Sequence, residues 1–272
     1  MISALLINLA QSTARLDFQK KQLKFLGIPV ERLSAISMSG LNSNQYEALA
    51  NGWERKLRPA EVACFLSHQS AWQYVADHQK PFLILEDDAL LSQWTPELLL
   101  QFDSNLLNID LITLETRNRK KLLNKKVIPV SEHFDLQKLY QDRTGAAAYI
   151  LFPSGANKLL NKSHTQAPAL ADAFISSCYT LKAYQTVPAA AIQLDQCEHY
   201  NLPMTYQFSS TITPENNHKP KANTASEKYL FKIRRIASQI RMALRHLSVS
   251  GVSERKKIEP RKSDFDFLNT LG

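Results

Sequence analysis

The chain opens on Ser3–Leu9 (SALLINL), an unbroken aliphatic run of the kind found in strands buried on both faces. Ser12-Thr-Ala-Arg15 then starts a helix with Leu16, Leu23 and Leu26 at helical intervals, and Gly27 ends it. Pro29–Leu33 predicts a second short strand. Strand, helix and strand at this spacing make a βαβ unit, so a parallel sheet with helices on its faces is expected. Pro59–His78 reads as a helix carrying Ala63, Phe65, Leu66, Trp72 and Val75. Pro81–Leu85 (PFLIL) is the clearest strand of all and runs straight into Glu86-Asp87-Asp88. Asp110–Leu114, Ala146–Phe152 and Ala189–Leu194 are further strand candidates, with a helix over Ser154–Leu160.

Past Leu194 the pattern dissolves into turns, and residues 214–228 have the composition of a linker. It revives at Tyr229, where Tyr229, Ile233, Ile236, Ile240, Ala243 and Leu247 fall on one helical face while Lys232, Arg234, Arg235, Arg241 and Arg245 avoid it. Ser248–Ser263 is charged and aperiodic, the composition of a disordered tail, and Phe265–Leu271 is a short apolar segment able to dock. The expected organisation is an α/β domain over residues 1–218 with a mainly parallel central sheet. Residues 219–272 would follow as linker, basic amphipathic helix and flexible tail.

Composition adds a compartment and a charge map. With 44% apolar and 21% charged residues in 272, the chain can bury a core. The net charge of +8 is unevenly placed: residues 219–262 hold 13 Lys/Arg against 3 Asp/Glu, whereas residues 1–218 are balanced. A neutral body with a basic tail disfavours a nucleic-acid-binding core, which would spread positive charge over its folded face. Cys64, Cys178 and Cys197 show neither CxxC spacing nor an even count, and read as reduced thiols of a cytosolic protein. The apolar Met1–Leu9 lacks a basic flank and reads as a strand rather than a signal peptide. No stretch approaches the length a spanning helix needs.

The acidic triplet is the most informative local feature. A buried apolar strand delivers three carboxylates to the carboxyl edge of the sheet, the edge at which open α/β sheets bind ligands. A divalent cation is the natural counter-charge, and oxygen-only donors suit magnesium or manganese bridging a substrate diphosphate. The plainer reading is a solvated acidic turn. Nucleotidyl, phosphoryl and glycosyl transfer all remain open at this point.

Several segments in order narrow the choice. Ile7-Asn8-Leu9 with Ser12 and Arg15, Glu61-Val-Ala-Cys64-Phe-Leu-Ser67-His68, Ile84-Leu85-Glu86-Asp87-Asp88, Thr144–Ile150 with Gly155-Ala156, Ala167–Asp172 and Ser209–Ile212 together resemble glycosyltransferase family 25. Glu115-Thr116-Arg117 has no counterpart in the resemblance. The resemblance implies a GT-A-like nucleotide-sugar fold and transfer of a hexose, most often galactose from UDP-galactose. It further implies an inverting, metal-dependent reaction onto a lipid-linked lipooligosaccharide or lipopolysaccharide acceptor.

Residue roles follow from both readings. Glu86 and Asp88, alternate residues of an extended strand, are the candidate ligands for Mn2+ or Mg2+, and Asp87 would face the other way, toward the donor ribose. Asn8, Leu9 and Arg15, where the first strand meets the first helix, are candidate donor contacts. Without the resemblance Arg15 reads as an exposed helix residue, and it could also face the carboxylates as a structural ion pair. Ser67 and His68 are candidates for organising the donor site, although a histidine among Cys64, Phe65, Leu66 and Trp72 also suits a core. Asp172, in the apolar stretch PALADAFI, is the candidate base for the acceptor hydroxyl, or else a first-turn helix residue.

The basic helix, over residues 228–247, fits an anionic membrane surface, with each Lys or Arg near such a surface contributing about 1 kcal/mol. That would put the protein peripherally on the cytoplasmic face of a bacterial inner membrane. Two rivals are a nucleotidyltransferase using the same triplet and a non-catalytic adaptor acting through the basic tail. Seven glycines in the whole chain leave little for the first rival's phosphate loop.

Overall fold

The computed structural model describes residues 1–102, 108–142, 144–202, 220, 222 and 224–271. In chain order the elements are β1 (Ser3–Asn8), α1 (Thr13–Phe25), β2 (Val30–Ser34), α2 (Ser43–Ala50), α3 (Pro59–His78), β3 (Phe82–Glu86), β4 (Ala89–Leu91) and α4 (Thr95–Gln101). Then come β5 (Leu111–Thr113), β6 (Lys120–Pro129), β7 (Asp135–Gln141), β8 (Ala148–Leu151), α5 (Pro153–Thr165), α6 (Ala171–Ser176), β9 (Ala183–Val187), β10 (Ala191–Gln193), α7 (Ala225–Ser248) and β11 (Ser253–Lys257). Short 3-10 helices cover Met38–Gly40, Leu194–Gln196 and Lys262–Thr270.

The opening βαβ unit forms as its pattern predicts, with β1 parallel to both β2 and β3. Helix α1 ends where Gly27 enters the left-handed region at φ +64°. There the Gly27 N–H bonds the Lys24 carbonyl and the Ile28 N–H bonds that of Leu23, the paired bonds of a Schellman stop. Ser12 occupies the cap position without a side-chain bond to the helix.

Among the described residues the main sheet has nine strands in the order β11-β6-β7-β9-β5-β8-β3-β1-β2, and β4 pairs with β10 beside it. Six of the nine run one way, which is the mostly parallel α/β sheet expected. Strands β8, β7 and β11 run against them. Alternation along the central strands builds two cores. Ala4, Leu6, Leu83, Leu85, Ala148 and Ile150 face one layer with Phe18 and Leu23 of α1. Leu5, Ile7, Phe82, Ile84, Tyr149 and Leu151 face the other, with Phe65, Trp72 and Val75 of α3 and Phe174 of α6. Helices therefore flank both faces, and the carboxyl ends of β1, β3 and β5 share one edge.

The C-terminal segment departs from expectation. Ser253–Lys257 is strand β11, antiparallel to β6, so Ser248–Ser263 is not the disordered stretch its composition implies. Its backbone completes the sheet edge, which no side-chain pattern announces. Phe265, Phe267, Leu268 and Leu271 are buried in the α1-side core, with the Phe267 ring stacked on Phe25 at 4.8 Å. The division proposed at residue 218, most of the 214–228 linker and the Ser209–Ile212 segment lie outside the described residues. Cys178 and Cys197 are buried, Cys64 is exposed, and all three thiols are free. No helix among the described residues is long and apolar enough to cross a membrane.

Helix α5 sits close against the start of β5. A Cβ on Gly155 would lie 2.2 Å from the carbonyl oxygen of Asp110, a backbone atom with no freedom to move aside. The Asp110 carboxylate meanwhile accepts from Ser154 Oγ and Lys158 Nζ, each at 2.6 Å. Gly155→Ala is expected to destabilise the fold by about 1–3 kcal/mol through forced separation of α5 from the sheet, measured by denaturant unfolding.

Candidate active site

The acidic triplet lies at the shared carboxyl edge, and its three side chains part in different directions. Asp87 points to the α1 side. Its Oδ2 accepts from Asn8 Nδ2 at 2.8 Å and its Oδ1 from Arg15 Nη1 at 3.1 Å. Asn8 is in turn fixed by Arg32, whose Nε donates to Asn8 Oδ1 at 3.1 Å. Behind them two buried glutamines of α1 hold the turn itself. Gln19 donates to the Ala89 carbonyl at 2.7 Å, and Gln22 accepts the Leu91 N–H at 2.9 Å. The ion-pair alternative for Arg15 is the one observed.

Glu86 points to the opposite side, toward α3. Its Oε1 lies 2.9 Å from His68 Nε2, and His68 Nδ1 lies 3.0 Å from the Tyr149 hydroxyl, which also receives the Trp72 Nε1–H at 3.0 Å. Direction follows from the member that can only accept. The Glu86 carboxylate takes the His68 Nε2–H, which leaves Nδ1 of a neutral imidazole to accept from the Tyr149 hydroxyl, and the Tyr149 oxygen in turn accepts the Trp72 N–H. His68 is fully buried and is thus both a core residue and a brace for the acidic edge.

Asp88 has no such partner on one oxygen: Oδ1 is buried and makes no hydrogen bond. Burial, then the charges of Glu86 and Asp87, push its carboxyl up to about 7 against the opposing pull of Arg15. A buried, unpartnered carboxylate oxygen beside a second carboxylate fits a divalent cation with oxygen ligands. A second donor set shares Glu86: Cys64 Sγ, a His68 ring nitrogen and a Glu86 oxygen all lie within 4.8 Å of one another. Both His68 nitrogens are already engaged, by Tyr149 and by Glu86. Glu86 and Asp88 would offer an oxygen-only donor set, the better chemical fit to magnesium or manganese.

Asp172 joins the same locality, since Glu86 is among the charges that act on it. It stands in the first turn of α6, where Oδ1 accepts the Ala173 N–H at 2.7 Å and Oδ2 the Gly145 N–H at 3.4 Å. Burial raises its pKa while those two amides oppose the rise. Both readings of Asp172 therefore hold geometrically: it is a first-turn residue and a partly desolvated carboxylate. It lines a cavity of about 40 Å³ with Thr113, Tyr140, Gly145, Tyr179 and Arg245.

Two of the candidate donor residues make backbone hydrogen bonds. Ser67 is committed to backbone, receiving the Ile36 N–H and donating to the Ala63 carbonyl, each at 2.8 Å. It anchors the segment after β2 against α3 and has no contact with the triplet. Leu9 supplies its carbonyl to the Ser12 N–H in the turn before α1, a backbone role.

One acid lay outside every motif. Glu115, directly after β5, is fully buried and accepts the Ala147 N–H at 2.6 Å through Oε1. A Cβ on Gly145, which has φ +94°, would fall 2.4 Å from its carboxyl carbon. Beneath it Lys121 Nζ bonds the Glu115 carbonyl, Gln185 Oε1 and Asp142 Oδ2 at 2.9, 2.6 and 2.6 Å. This buried cluster holds the segment carrying Gly145, and through it Asp172. Its one sequence signal was a carboxylate following an apolar strand, as at Glu86.

Known proteins resemble the chain in a consistent way. The family model for glycosyltransferase family 25 (LPS biosynthesis protein) matches residues 1–175. The lipooligosaccharide biosynthesis protein lic2B of Haemophilus influenzae is 27% identical over 208 residues, 70% of this chain and 75% of that protein. Procollagen galactosyltransferase 2 of Homo sapiens is 26% identical over 170 residues, 57% of this chain and 26% of that protein. Among solved structures, a Drosophila beta-1,4-galactosyltransferase 7 mutant in complex with manganese, UDP-Gal and xylobiose aligns with a TM-score of 0.36 at 11% identity, over 82% of this chain and 81% of that one.

Burial pushes the Glu115 carboxyl up to about 8, with Lys121 opposing and Glu86 adding to the rise. Between its unfolded value and about 8 the folded state holds the extra proton, so this group's contribution to stability falls as pH rises through that window. Glu115→Gln keeps an oxygen for the Ala147 amide and removes the titration. It is expected to flatten the loss of unfolding free energy between pH 5 and 9, by on the order of 3 kcal/mol at the upper end. Denaturant unfolding across that range measures it, and parallel pH profiles for the two proteins would contradict the assignment.

Proposed function

Since the chain belongs to glycosyltransferase family 25, we propose that it transfers a hexose, galactose in the first instance, from a UDP-sugar to a hydroxyl of an oligosaccharide acceptor, with inversion. The observation that carries the reading is the unpartnered, buried Asp88 Oδ1, on which the charge of Glu86 acts as it also acts on Asp172. Glu86 and Asp88 would hold the divalent cation, manganese or magnesium, whose charge neutralises the leaving diphosphate.

The chain's own residues divide the remaining work. Trp72, Tyr149 and His68 keep Glu86 aimed at that cation site, and Gln19 and Gln22 keep the turn bearing Asp88 from moving outward. Asp87, tied to Asn8 and Arg15, presents the remaining acceptor capacity of its carboxylate toward the donor ribose. Asp172 accepts the proton of the acceptor hydroxyl as that oxygen attacks the anomeric carbon and the bond to the diphosphate oxygen breaks. Burial raises its pKa, which strengthens it as a proton acceptor. An acceptor of lipooligosaccharide or lipopolysaccharide type is supported by the likeness to lic2B.

The test is UDP release from a panel of UDP-hexoses with manganese, with and without oligosaccharide acceptor. Asp88→Asn is expected to remove metal-dependent turnover, and Asp172→Asn to lower kcat roughly 10²–10⁴-fold with donor binding intact. Near-normal turnover of Asp172→Asn would remove it as the base. Turnover of Asp88→Asn at low metal would remove it as a ligand.

A further inference from the structure

Helix α7 is mounted with its apolar face outward. On the inner side Phe231 is buried, and Arg234 Nη1 donates to the carbonyls of Asn51 and Trp53 at 2.7 and 3.3 Å. The Arg245 guanidinium lies 5.5 Å from the Tyr140 ring and 5.3 Å from that of Tyr179. Opposite, Tyr229, Ile233, Ile236, Ile240 and Leu247 are 66%, 44%, 46%, 54% and 68% exposed, and Leu230 and Leu244 widen the stripe. Spacings of three and four residues put these side chains on one face along almost the whole 24-residue helix. Single exposed leucines are ordinary, but a continuous apolar stripe on a soluble surface marks a binding face.

The stripe is edged by positive charge. At 100° per residue Lys228, Lys232 and Arg235 border one side and Arg241 the other, all four exposed. Glu227 is the one acidic residue between Ala225 and Ser248. We propose that this face docks on an anionic lipid bilayer, with the helix parallel to the surface, the stripe among the upper acyl chains and the Lys and Arg side chains at the phosphate level. Charge decides against a second copy of the chain as occupant, because two such helices would bring basic flanks against basic flanks. The helix lies outside the family match over residues 1–175, and the inference does not rest on the proposed reaction. It does have a consequence for position: Arg245 also lines the cavity that holds Asp172, so a docked α7 holds that cavity close to the membrane surface.

Co-sedimentation of the full chain with vesicles of phosphatidylcholine, alone or mixed with phosphatidylglycerol, tests the proposal. Binding is expected to the mixed vesicles only and to be released by salt. Lys228→Gln with Lys232→Gln should weaken it roughly thirtyfold, and Ile236→Gln with Ile240→Gln should abolish it. All four positions are exposed, so circular dichroism and UDP release should be unchanged in both variants. Three results would each overturn the proposal: no binding to mixed vesicles, undiminished binding by the isoleucine variant, or a dimer in solution that this variant splits, which would make a second copy the occupant.

Discussion

Three adjacent carboxylates at the mouth of a buried strand repel one another, and the architecture around β3 resolves that repulsion by giving each side chain a different environment. Strand alternation sends Glu86 and Asp87 to opposite faces of the sheet. Each then meets a different layer: Glu86 the buried histidine of α3, and Asp87 the arginine of α1 and the asparagine ending β1. Asp88, in the turn, is left with one oxygen unmatched. The βαβ unit, the long α3 and the position of β8 carrying Tyr149 all serve to hold this arrangement at one edge.

Much of that frame was legible in the chain itself. β1, β3, β5 and β8 have apolar patterns that leave few alternatives, and they form the centre of the sheet, with β2 at its edge and α1 and α3 on its two faces. The hairpin of β6 and β7 was not legible, because Lys120, Lys121, Lys125 and Lys126 interrupt every apolar period in KKLLNKKVIP. Lys121 is nonetheless fully buried, bonded to Asp142 and Gln185, elements far apart in sequence. β11 is harder still: SERKK has no hydrophobic face, and its place is set by backbone bonds to β6 and by the buried Phe265 that follows.

The candidate site was legible in its acidic half and not in its bracing. The triplet is conspicuous because charge follows an apolar strand. Gln19 and Gln22 are not, since glutamine on a helix ordinarily faces water; here both are fully buried because strand β4 presents backbone groups at Ala89 and Leu91 that need partners. Glu115 escaped because it sits beneath Gly145, a proximity created only when β5 and β8 pair.

The direction of the Trp72–Tyr149–His68–Glu86 chain constrains the chemistry further. A carboxylate can only accept, so Glu86 takes the His68 Nε2–H, and with a neutral imidazole the Tyr149 hydroxyl donates to Nδ1 while accepting from Trp72. One Glu86 oxygen is thereby used, and the carboxylate cannot rotate freely toward solvent. The Asp88 Oδ1 is itself buried and unpartnered, and the charge of Glu86 bears on it. With Glu86 held by a buried histidine and the strand after Asp88 braced by glutamines, the two carboxylates have little freedom to reorient. Relief would come as a proton on Asp88 or as a cation shared by both, and in the proposed reaction a diphosphate substrate with its metal would supply the second.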